Sequence, residues 1–388
     1  MPASALAQLT SIQILDLSNN QIAEVERGAF DAAQELSAVR LDANQLTRME
    51  NLFHQLPNLT WLNVSANQIV EFDYAMVPRS LMWLDIHANR IGALDNYFDL
   101  LAAGVRIQHL NAGLNRIRSI GPASLPNSVE VLILNDNAIA EIAPYTFKDK
   151  TRLRHVDLTV NKMRTVDRTA LSIAPEAAAV APSFLLGGNL LECTCDMVWL
   201  QSVNRRSDGS GSISSLPRIA DLESIYCQLP YVKDAQAQPA FAPMVDVRPS
   251  DFLCAYRTHC FALCHCCDYD ACDCEMACPA GCSCYRDSTW TNNNVQCSGG
   301  NNTQLPVKIP MDATEIFLDG NNLGRLKSHT FIGRKNLHVL HLNHSNILVV
   351  DNNTFNGLPA MAVLHLEGNR LTKLEGDEFQ GRRRKRMI

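Results

Sequence analysis

Apolar residues recur along the chain in one pattern, φxxLxLxxNxφxxφ, where φ is an apolar residue. The asparagine of this pattern returns every 22 to 28 residues from Ile12 onward, at Asn20, Asn44, Asn67, Asn89, Asn115, Asn137, Asn161 and Asn189. This is the period of a leucine-rich repeat, whereas scattered amphipathic helices would not keep one period over eight units. The pattern predicts an α/β solenoid, a leucine-rich-repeat horseshoe with a parallel β-sheet on its concave face.

One unit, LSAVRLDANQLTRM, explains the pattern physically. Val39 and Leu41 alternate with period two, so both point into the core, while Arg40 points to the concave face. The side-chain amide of Asn44 then satisfies backbone groups of the neighbouring coil, which stacking would otherwise leave unpaired. A phenylalanine, such as Phe30 or Phe147, often closes the outer segment, and the fifth unit departs by carrying Ala112 in a leucine position.

The same pattern returns near the C-terminus, with the ladder position occupied by Asn321, Ser345 and Asn369, each 24 residues apart. We therefore predict two repeat blocks, at residues 1–191 (about eight repeats) and 311–388 (about three). Both blocks are expected to be incomplete at the chain ends. The basic tail GRRRKRMI can bind acidic partners, but a truncated or mis-joined end is the favoured interpretation.

The segment between the two blocks holds every cysteine of the chain, and a repeat stack needs a cap over each raw apolar end. We predict a C-terminal cap at 192–259, a cysteine-rich joint at 260–277 and an N-terminal cap at 278–310. In the first cap, Trp199 and Leu200 would cover the last repeat. Pairs that fit are Cys193–Cys227, Cys195–Cys254, Cys278–Cys284 and Cys282–Cys297, although sequence alone does not fix connectivity.

The remaining cysteines could chelate a metal or form disulfides. Cys264, His265, Cys266 and Cys267 offer zinc ligands, and Cys264-x-x-Cys267 is formally a redox motif without the βαβ context that such motifs require. An even total of 14 cysteines favours disulfides. Six would then form three bridges that stiffen the joint: Cys260, Cys264, Cys266, Cys267, Cys272 and Cys274. We expect no metal, no cofactor and, since no catalytic motif occurs, no enzyme.

The disulfides indicate an oxidising, secretory compartment. Five N-glycosylation motifs agree with this placement: Asn58, Asn63, Asn301, Asn343 and Asn352. The first residues, MPASALAQLT, lack the features of a signal peptide, and no stretch is long and apolar enough to span a membrane. We therefore interpret the chain as a fragment of a longer protein. The net charge of −6 gives no reason to expect nucleic-acid binding.

The repeat register also predicts which side chains share the exposed face of the sheet. Trp61, Trp83 and His109 occupy the same position in consecutive repeats, so their rings can stack across adjacent strands. Exposed aromatic residues on a rigid surface are typical interface anchors, and we predict a partner-binding patch here. Two alternatives remain: the rings only staple the strands together, or a glycan on Asn63 covers them. A similar column holds Phe317, His341 and His365, where histidines could make binding pH-dependent.

A C-terminal cap joined directly to an N-terminal cap, with repeats on both sides, resembles the arthropod Toll receptors. The run FLCAYRTHCFALCHCCDYDACDCEMACPAGCSCY, from Phe252 to Tyr285, resembles the long, Tollo-like branch of that family. The resemblance implies the extracellular region of a single-pass receptor at the plasma membrane. Its signal peptide, transmembrane helix and intracellular signalling domain would lie outside this sequence.

The family resemblance further implies a Spätzle-like cystine-knot cytokine or another cell-surface receptor as the partner, possible receptor dimerisation, and a role in innate immunity or development. Two other functions stay open. One is a cell-adhesion module or secreted Slit-like protein, and the other is a soluble decoy that sequesters the ligand.

Overall fold

The computed structural model describes residues 1–97, 99, 104–174, 181–205, 215–230, 241–260, 275–374, 376 and 378. The chain divides into two compact units. The first comprises Met1–Gln228 and Gln238–Val247, and the second comprises Leu229–Ala237 and Arg248–Ile388. The division at Val247 falls inside the segment 192–259 that the sequence predicts as one cap. The five-part division given above remains a prediction.

The first unit is a solenoid of short strands. Its strands are β1 (Ile14–Asp16), β2 (Ala38–Arg40), β3 (Trp61–Asn63), β4 (Trp83–Asp85), β5 (His109–Asn111), β6 (Ser119–Ile120), β7 (Val131–Ile133), β8 (Glu141–Ile142), β9 (His155–Asp157), β10 (Ser183–Leu185), β11 (Arg218–Ile219), β12 (Tyr226–Gln228) and β13 (Phe241–Pro243). Nine of them form one parallel sheet in the order β1-β2-β3-β4-β5-β7-β9-β10-β11, while β6 pairs with β8 and β12 with β13. The predicted parallel sheet of a leucine-rich-repeat solenoid is therefore confirmed.

The strands of the main sheet are built by alternation. In β3, β4 and β5 the central leucine (Leu62, Leu84 or Leu110) is fully buried, and the residues on either side of it point to the outer face and are partly exposed. Burying one such side chain stabilises the fold by about 1.5–3 kcal/mol. Because no single repeat can enclose its own leucine, neighbouring repeats share one core.

The ladder asparagines join consecutive repeats, as the sequence predicts. The Oδ1 atom of Asn115 accepts the Ile91 N–H at 2.9 Å, and its Nδ2 atom donates to the carbonyl oxygens of Ile86, Ala112 and Gly113 at 3.0 to 3.2 Å. The same arrangement recurs at Asn44, Asn67, Asn89, Asn137 and Asn161. These amides occupy backbone groups that stacking removes from water.

The outer segments of the repeats consist of turns and short 3₁₀ helices, and no α-helix occurs among the described residues. Short 3₁₀ turns are common where the chain connects closely spaced elements. In the first unit the 3₁₀ helices are Tyr74–Met76, Pro122–Ser124, Cys195–Ser202, Leu222–Ser224 and Met244–Asp246. Phenylalanines fill the space beneath the outer segments, as predicted: Phe30 and Phe147 are fully buried, and Phe30 stacks on Phe53 with 5.3 Å between ring centroids.

The cap at the end of the first block contains the disulfide Cys193–Cys227. The 3₁₀ helix Cys195–Ser202 covers the last repeats, with Met197 and Leu200 completely buried. Leu200 therefore takes the position expected of it. Trp199, the other residue expected to cover the last repeat, is partly buried. The sulfur of the fully buried Met197 accepts a hydrogen bond from the Val166 N–H.

The second unit has its own sheet. Its strands are β14 (Cys254–Tyr256), β15 (Thr258–Cys260), β16 (Glu275–Ala277), β17 (Ser283–Arg286), β18 (Asn293–Gln296), β19 (Glu315–Phe317), β20 (Arg325–Leu326), β21 (Val339–His341), β22 (Val349–Val350) and β23 (Val363–His365); Pro249–Asp251 is a 3₁₀ helix. Six strands pair in the order β14-β17-β18-β19-β21-β23. The antiparallel pair β17–β18 belongs to the predicted N-terminal cap, and β18 continues into the parallel repeat strands.

Two disulfides, Cys278–Cys284 and Cys282–Cys297, hold this second cap together. Cys284 and Cys297 are buried in the same core as the repeat leucines. The ladder continues with Asn321, whose amide donates to the carbonyl oxygens of Cys297 and Leu318. Ser345 replaces asparagine in the next repeat, and its hydroxyl donates to the Leu318 carbonyl at 2.7 Å.

The residue before each ladder asparagine has a left-handed backbone. In the first unit φ is between 51° and 55° at Asn19, Ala43, Ala66, Ala88, Leu114, Asp136 and Val160. The turn orients the N–H of each of these residues toward the next repeat, and the Val160 N–H, for example, donates to the Gly187 carbonyl at 2.9 Å. Val160 is the least suited to this conformation, because a β-branched side chain is strained at positive φ.

We expect Val160→Asn to raise the free energy of unfolding by about 1 kcal/mol, because asparagine tolerates positive φ. The side chain of Val160 is half exposed, so little apolar burial is lost. Urea denaturation measures the change. Val160→Thr is the control, since it adds polarity and keeps the branched Cβ; an equal gain from threonine would contradict relief of backbone strain.

Candidate ligand-binding face

The side of the main sheet that points away from the core carries two columns of side chains across neighbouring strands, one mostly apolar and one mostly polar. The strand register aligns the first residues of the first seven strands of this sheet, which gives the apolar column Ile14, Ala38, Trp61, Trp83, His109, Val131 and His155. The third residues of the same seven strands give the polar column Asp16, Arg40, Asn63, Asp85, Asn111, Ile133 and Asp157, in which only Ile133 is apolar. The two columns have different roles.

Most side chains of the polar column form hydrogen bonds within their own turn. Asp16, Asn63, Asp85, Asn111 and Asp157 each accept a hydrogen bond from the N–H two residues further along the chain. Such Asx turns reverse the backbone directly after the strand. These side chains therefore have a structural reason to be polar.

The aromatic residues of the apolar column form a continuous stack. The Trp61 and Trp83 rings lie 4.4 Å apart with an interplanar angle of 6°, and the Trp83 and His109 rings lie 5.3 Å apart at 10°. The structure thus brings the three predicted residues together, and each is partly exposed. Burial lowers the pKa of His109, with the nearby Asp85 acting in the opposite direction, so the histidine is neutral at neutral pH.

The five predicted glycosylation asparagines lie at different depths. Asn58, Asn301 and Asn352 are exposed, whereas Asn63 and Asn343 are partly buried. Asn63 is on the same strand as Trp61 and uses its Oδ1 atom to accept the Ser65 N–H at 2.9 Å. A glycan at Asn63 would stand beside the aromatic stack, which is the position that the alternative of a shielded face requires.

The second unit has an aromatic stack in a different column, formed by the third residues of β19, β21 and β23, and it is less exposed. Phe317 lies 4.2 Å from His341, and His341 lies 4.6 Å from His365. Phe317 is buried, and His341 contacts Glu315 through Nε2 at 3.1 Å. The surface that this column presents is therefore made mainly by the two histidines.

Several predicted cysteine roles fall partly outside the described residues. Cys195 and Cys254 are both disulfide-bonded. The side chain of Cys260 lies outside the described residues, and so do Cys264, His265, Cys266, Cys267, Cys272 and Cys274. Their assignment to three stiffening bridges stays a prediction.

A buried polar cluster in the second unit was not predicted from the sequence. His259 Nε2 lies 2.7 Å from Asp312 Oδ2, Asn293 donates to Asp312 Oδ1 at 3.0 Å, and Tyr256 donates to Asn293 Oδ1 at 2.5 Å. Trp290 stacks on the His259 ring with 4.1 Å between centroids. Burial raises the pKa of Tyr256, which keeps its hydroxyl protonated as a donor. The cluster fixes β14 and β15 against the cap.

Three comparisons place this architecture among known proteins. The family model described as leucine rich repeat matches residues 10–69, 313–371 and 335–384. Toll-like receptor 7 of Drosophila melanogaster is 47% identical over 300 residues, which cover 77% of this chain and 20% of that protein. Leucine-rich repeats and immunoglobulin-like domains protein 3 of Homo sapiens is 34% identical over 39% of this chain and 14% of that protein.

Among solved structures, one titled as the Toll–Spatzle complex of Drosophila aligns with 95% of this chain and 63% of its own chain, at 17% identity and a TM-score of 0.34. That score is too low to define a common arrangement. Among the described residues, no helix has the length and apolar character needed to cross a membrane.

This architecture is that of a capped leucine-rich-repeat protein, because it combines repeated strands, an asparagine ladder and caps closed by disulfides. The identity to Toll-like receptor 7 extends over 77% of the chain. The chain belongs to the Toll receptor family. It spans about a fifth of the length of that relative, and its assignment to the Tollo-like branch remains a prediction.

Proposed function

We propose that this chain is part of the extracellular ligand-binding region of a Toll-family receptor, and that it recognises a protein ligand without any catalytic step. The observation that carries the proposal is the stack of Trp61, Trp83 and His109 on the outer face of a rigid sheet. Stacked tryptophans at a partly exposed position present a large apolar area at little conformational cost, which is typical of interface anchors.

The neighbouring polar column supports this reading. Asn63, Asp85 and Asn111 form local turns, whereas Trp61 and Trp83 make no comparable hydrogen bond that the fold requires. If these rings only held neighbouring strands together, aliphatic side chains would suffice, because they also pair well across a sheet. The ligand class that we propose is a Spätzle-like cystine-knot cytokine, which is the class implied by the family resemblance, with receptor dimerisation as the consequence of binding.

We expect the double substitution of Trp61 and Trp83 by alanine to weaken cytokine binding by about 1,000-fold, since anchor residues contribute about 2 kcal/mol or more each. The measurement is biolayer interferometry of the secreted chain against a panel of Spätzle-family cytokines. Val70→Ala is the control, because Val70 is half exposed and lies outside the apolar column.

Unfolding temperatures of both variants establish that they fold. Unchanged affinity in a folded double variant would overturn the assignment of the face. Ser65→Ala removes the glycosylation motif of Asn63 and keeps Asn63 itself, and a rise in affinity would place that glycan over the stack.

A further inference from the structure

The apolar column contains a gap, and we propose that this gap accepts an aromatic side chain from the partner protein. The inference rests on the proposed function, because it assumes that this face binds a protein. The gap lies over Ala38, between Ile14 and Trp61, and we call these three residues the Ala38 slot. Tyrosine or tryptophan is the occupant that the surroundings favour.

The strand register defines the width of the Ala38 slot. Ala38 pairs with Ile14 on one side and with Trp61 on the other. Neighbouring strands lie about 4.8 Å apart, so Ile14 and Trp61 are separated by about 9–10 Å across the alanine. In the same column, the occupied positions hold rings 4.4 Å and 5.3 Å apart. A ring placed over Ala38 would continue the stack at the same spacing, within the range where aromatic pairs attract.

The slot is also accessible and apolar. The stack of Trp61, Trp83 and His109 stops at Trp61, since Ala38 has the smallest side chain of the column. Ile14 is 69% exposed, and Ala38 and Trp61 are partly exposed. A partner ring would therefore cover the free face of Trp61 and bury Ile14 at once.

The polar residues beside the slot favour a ring that carries a hydrogen-bond donor. Arg40 is held between two carboxylates: Nη1 lies 3.1 Å from Asp16 Oδ2, and Nε and Nη2 each lie 3.2 Å from an oxygen of Asp42. Two carboxylates and one guanidinium leave one negative charge in excess. The side chain of Asp16 is 49% exposed, so it can accept from a tyrosine hydroxyl or an indole N–H.

The test uses the secreted, enzymatically deglycosylated chain labelled with ¹⁵N at the indole nitrogens, and N-acetyl-L-tyrosinamide as the probe. The chain has four tryptophans, and Trp61→Phe assigns the Trp61 signal. We expect the probe to shift the Trp61 indole resonance saturably, with a roughly millimolar Kd for so small a ligand. The Trp199 and Trp290 signals should stay in place.

Ala38→Trp fills the slot with a side chain of the protein itself, so the Kd of the probe should rise by more than about tenfold. Ala38→Ser keeps a small side chain at this position, so the Kd should stay close to that of the wild-type chain. A Trp61 signal that does not move, or an equal loss in both variants, would overturn the proposal. An equal shift with N-acetyl-L-argininamide would overturn the preference for an aromatic ring. Because the probe is not a cytokine, a positive probe result without cytokine binding would contradict the proposed function and leave the slot in place.

Discussion

Replacing Asn115 with alanine is expected to lower the free energy of unfolding by about 3 kcal/mol, because several buried backbone groups lose their partner at once. The Ile91 N–H loses its acceptor, and the carbonyl oxygens of Ile86, Ala112 and Gly113 lose a donor. Asn115 is itself buried, so water cannot replace these bonds without opening the stack. Urea denaturation measures the loss, and hydrogen exchange of the Ile91 amide shows where it occurs.

Asn20→Ala is the matched control. Asn20 occupies the same repeat position but is exposed, and it only donates to the carbonyl oxygens of Leu17 and Ser18. Water can satisfy those groups, so we expect a loss below about 1 kcal/mol. The loss of stability in Asn115→Ser should lie between the losses of the two alanine variants, since the Ser345 hydroxyl shows that serine can donate to one carbonyl of the neighbouring repeat. Equal losses at Asn20 and Asn115 would mean that the ladder bonds are not the source of stability.

Features that repeat could be predicted from the sequence, since each repeat tests the same physical rule again. The Asn44 position, the inward Val39 and the stacking of Trp61 on Trp83 all follow from register. Register fixes which side chains share a face. The same register, once the strand pairing is known, shows that Ala38 lies between Ile14 and Trp61.

Features that depend on a single tertiary arrangement could not be predicted in this way. Tyr256 and Asn293 are 37 residues apart, and His259 and Asp312 are 53 apart, and no period connects them. Their pairing arises because β14 and β15 are brought against the cap by contacts that occur only once. The full burial of Met197 in the first cap has the same origin, since the order of residues does not tell which side chain fits the available space.

Lys150 is a further residue that the repeat pattern does not reveal. It is buried, with 1% of its surface exposed, and its Nζ atom has Asn127 Oδ1 at 3.2 Å. Burial lowers the pKa of Lys150 from 10.5 to about 8, with Asp149 acting in the opposite direction. A buried cation with one neutral partner is unfavourable, because the ammonium group loses water that the protein does not replace.

We expect Lys150→Met to raise the free energy of unfolding at pH 7 by about 2 kcal/mol, since the methionine fills a similar volume without a charge. Asn127 is exposed, so water can take the place of the lysine. Lys148→Met is the matched control, because Lys148 is two residues away, exposed, and has its Nζ 5.2 Å from the centre of the Tyr145 ring. A loss of stability in Lys150→Met would contradict an unfavourable buried charge.

The pH dependence distinguishes this explanation from improved packing. Below pH 8 the lysine is protonated in both the folded and the unfolded chain, so the full penalty is present. Between about pH 8 and 10.5 the folded chain has released the proton that the unfolded chain still binds, so the stability of the wild-type chain rises with pH. The advantage of Lys150→Met should therefore shrink from neutral pH to about pH 9.5 in urea denaturation. An advantage that does not change with pH would show that the gain comes from packing, and that Lys150 is not a buried cation at neutral pH.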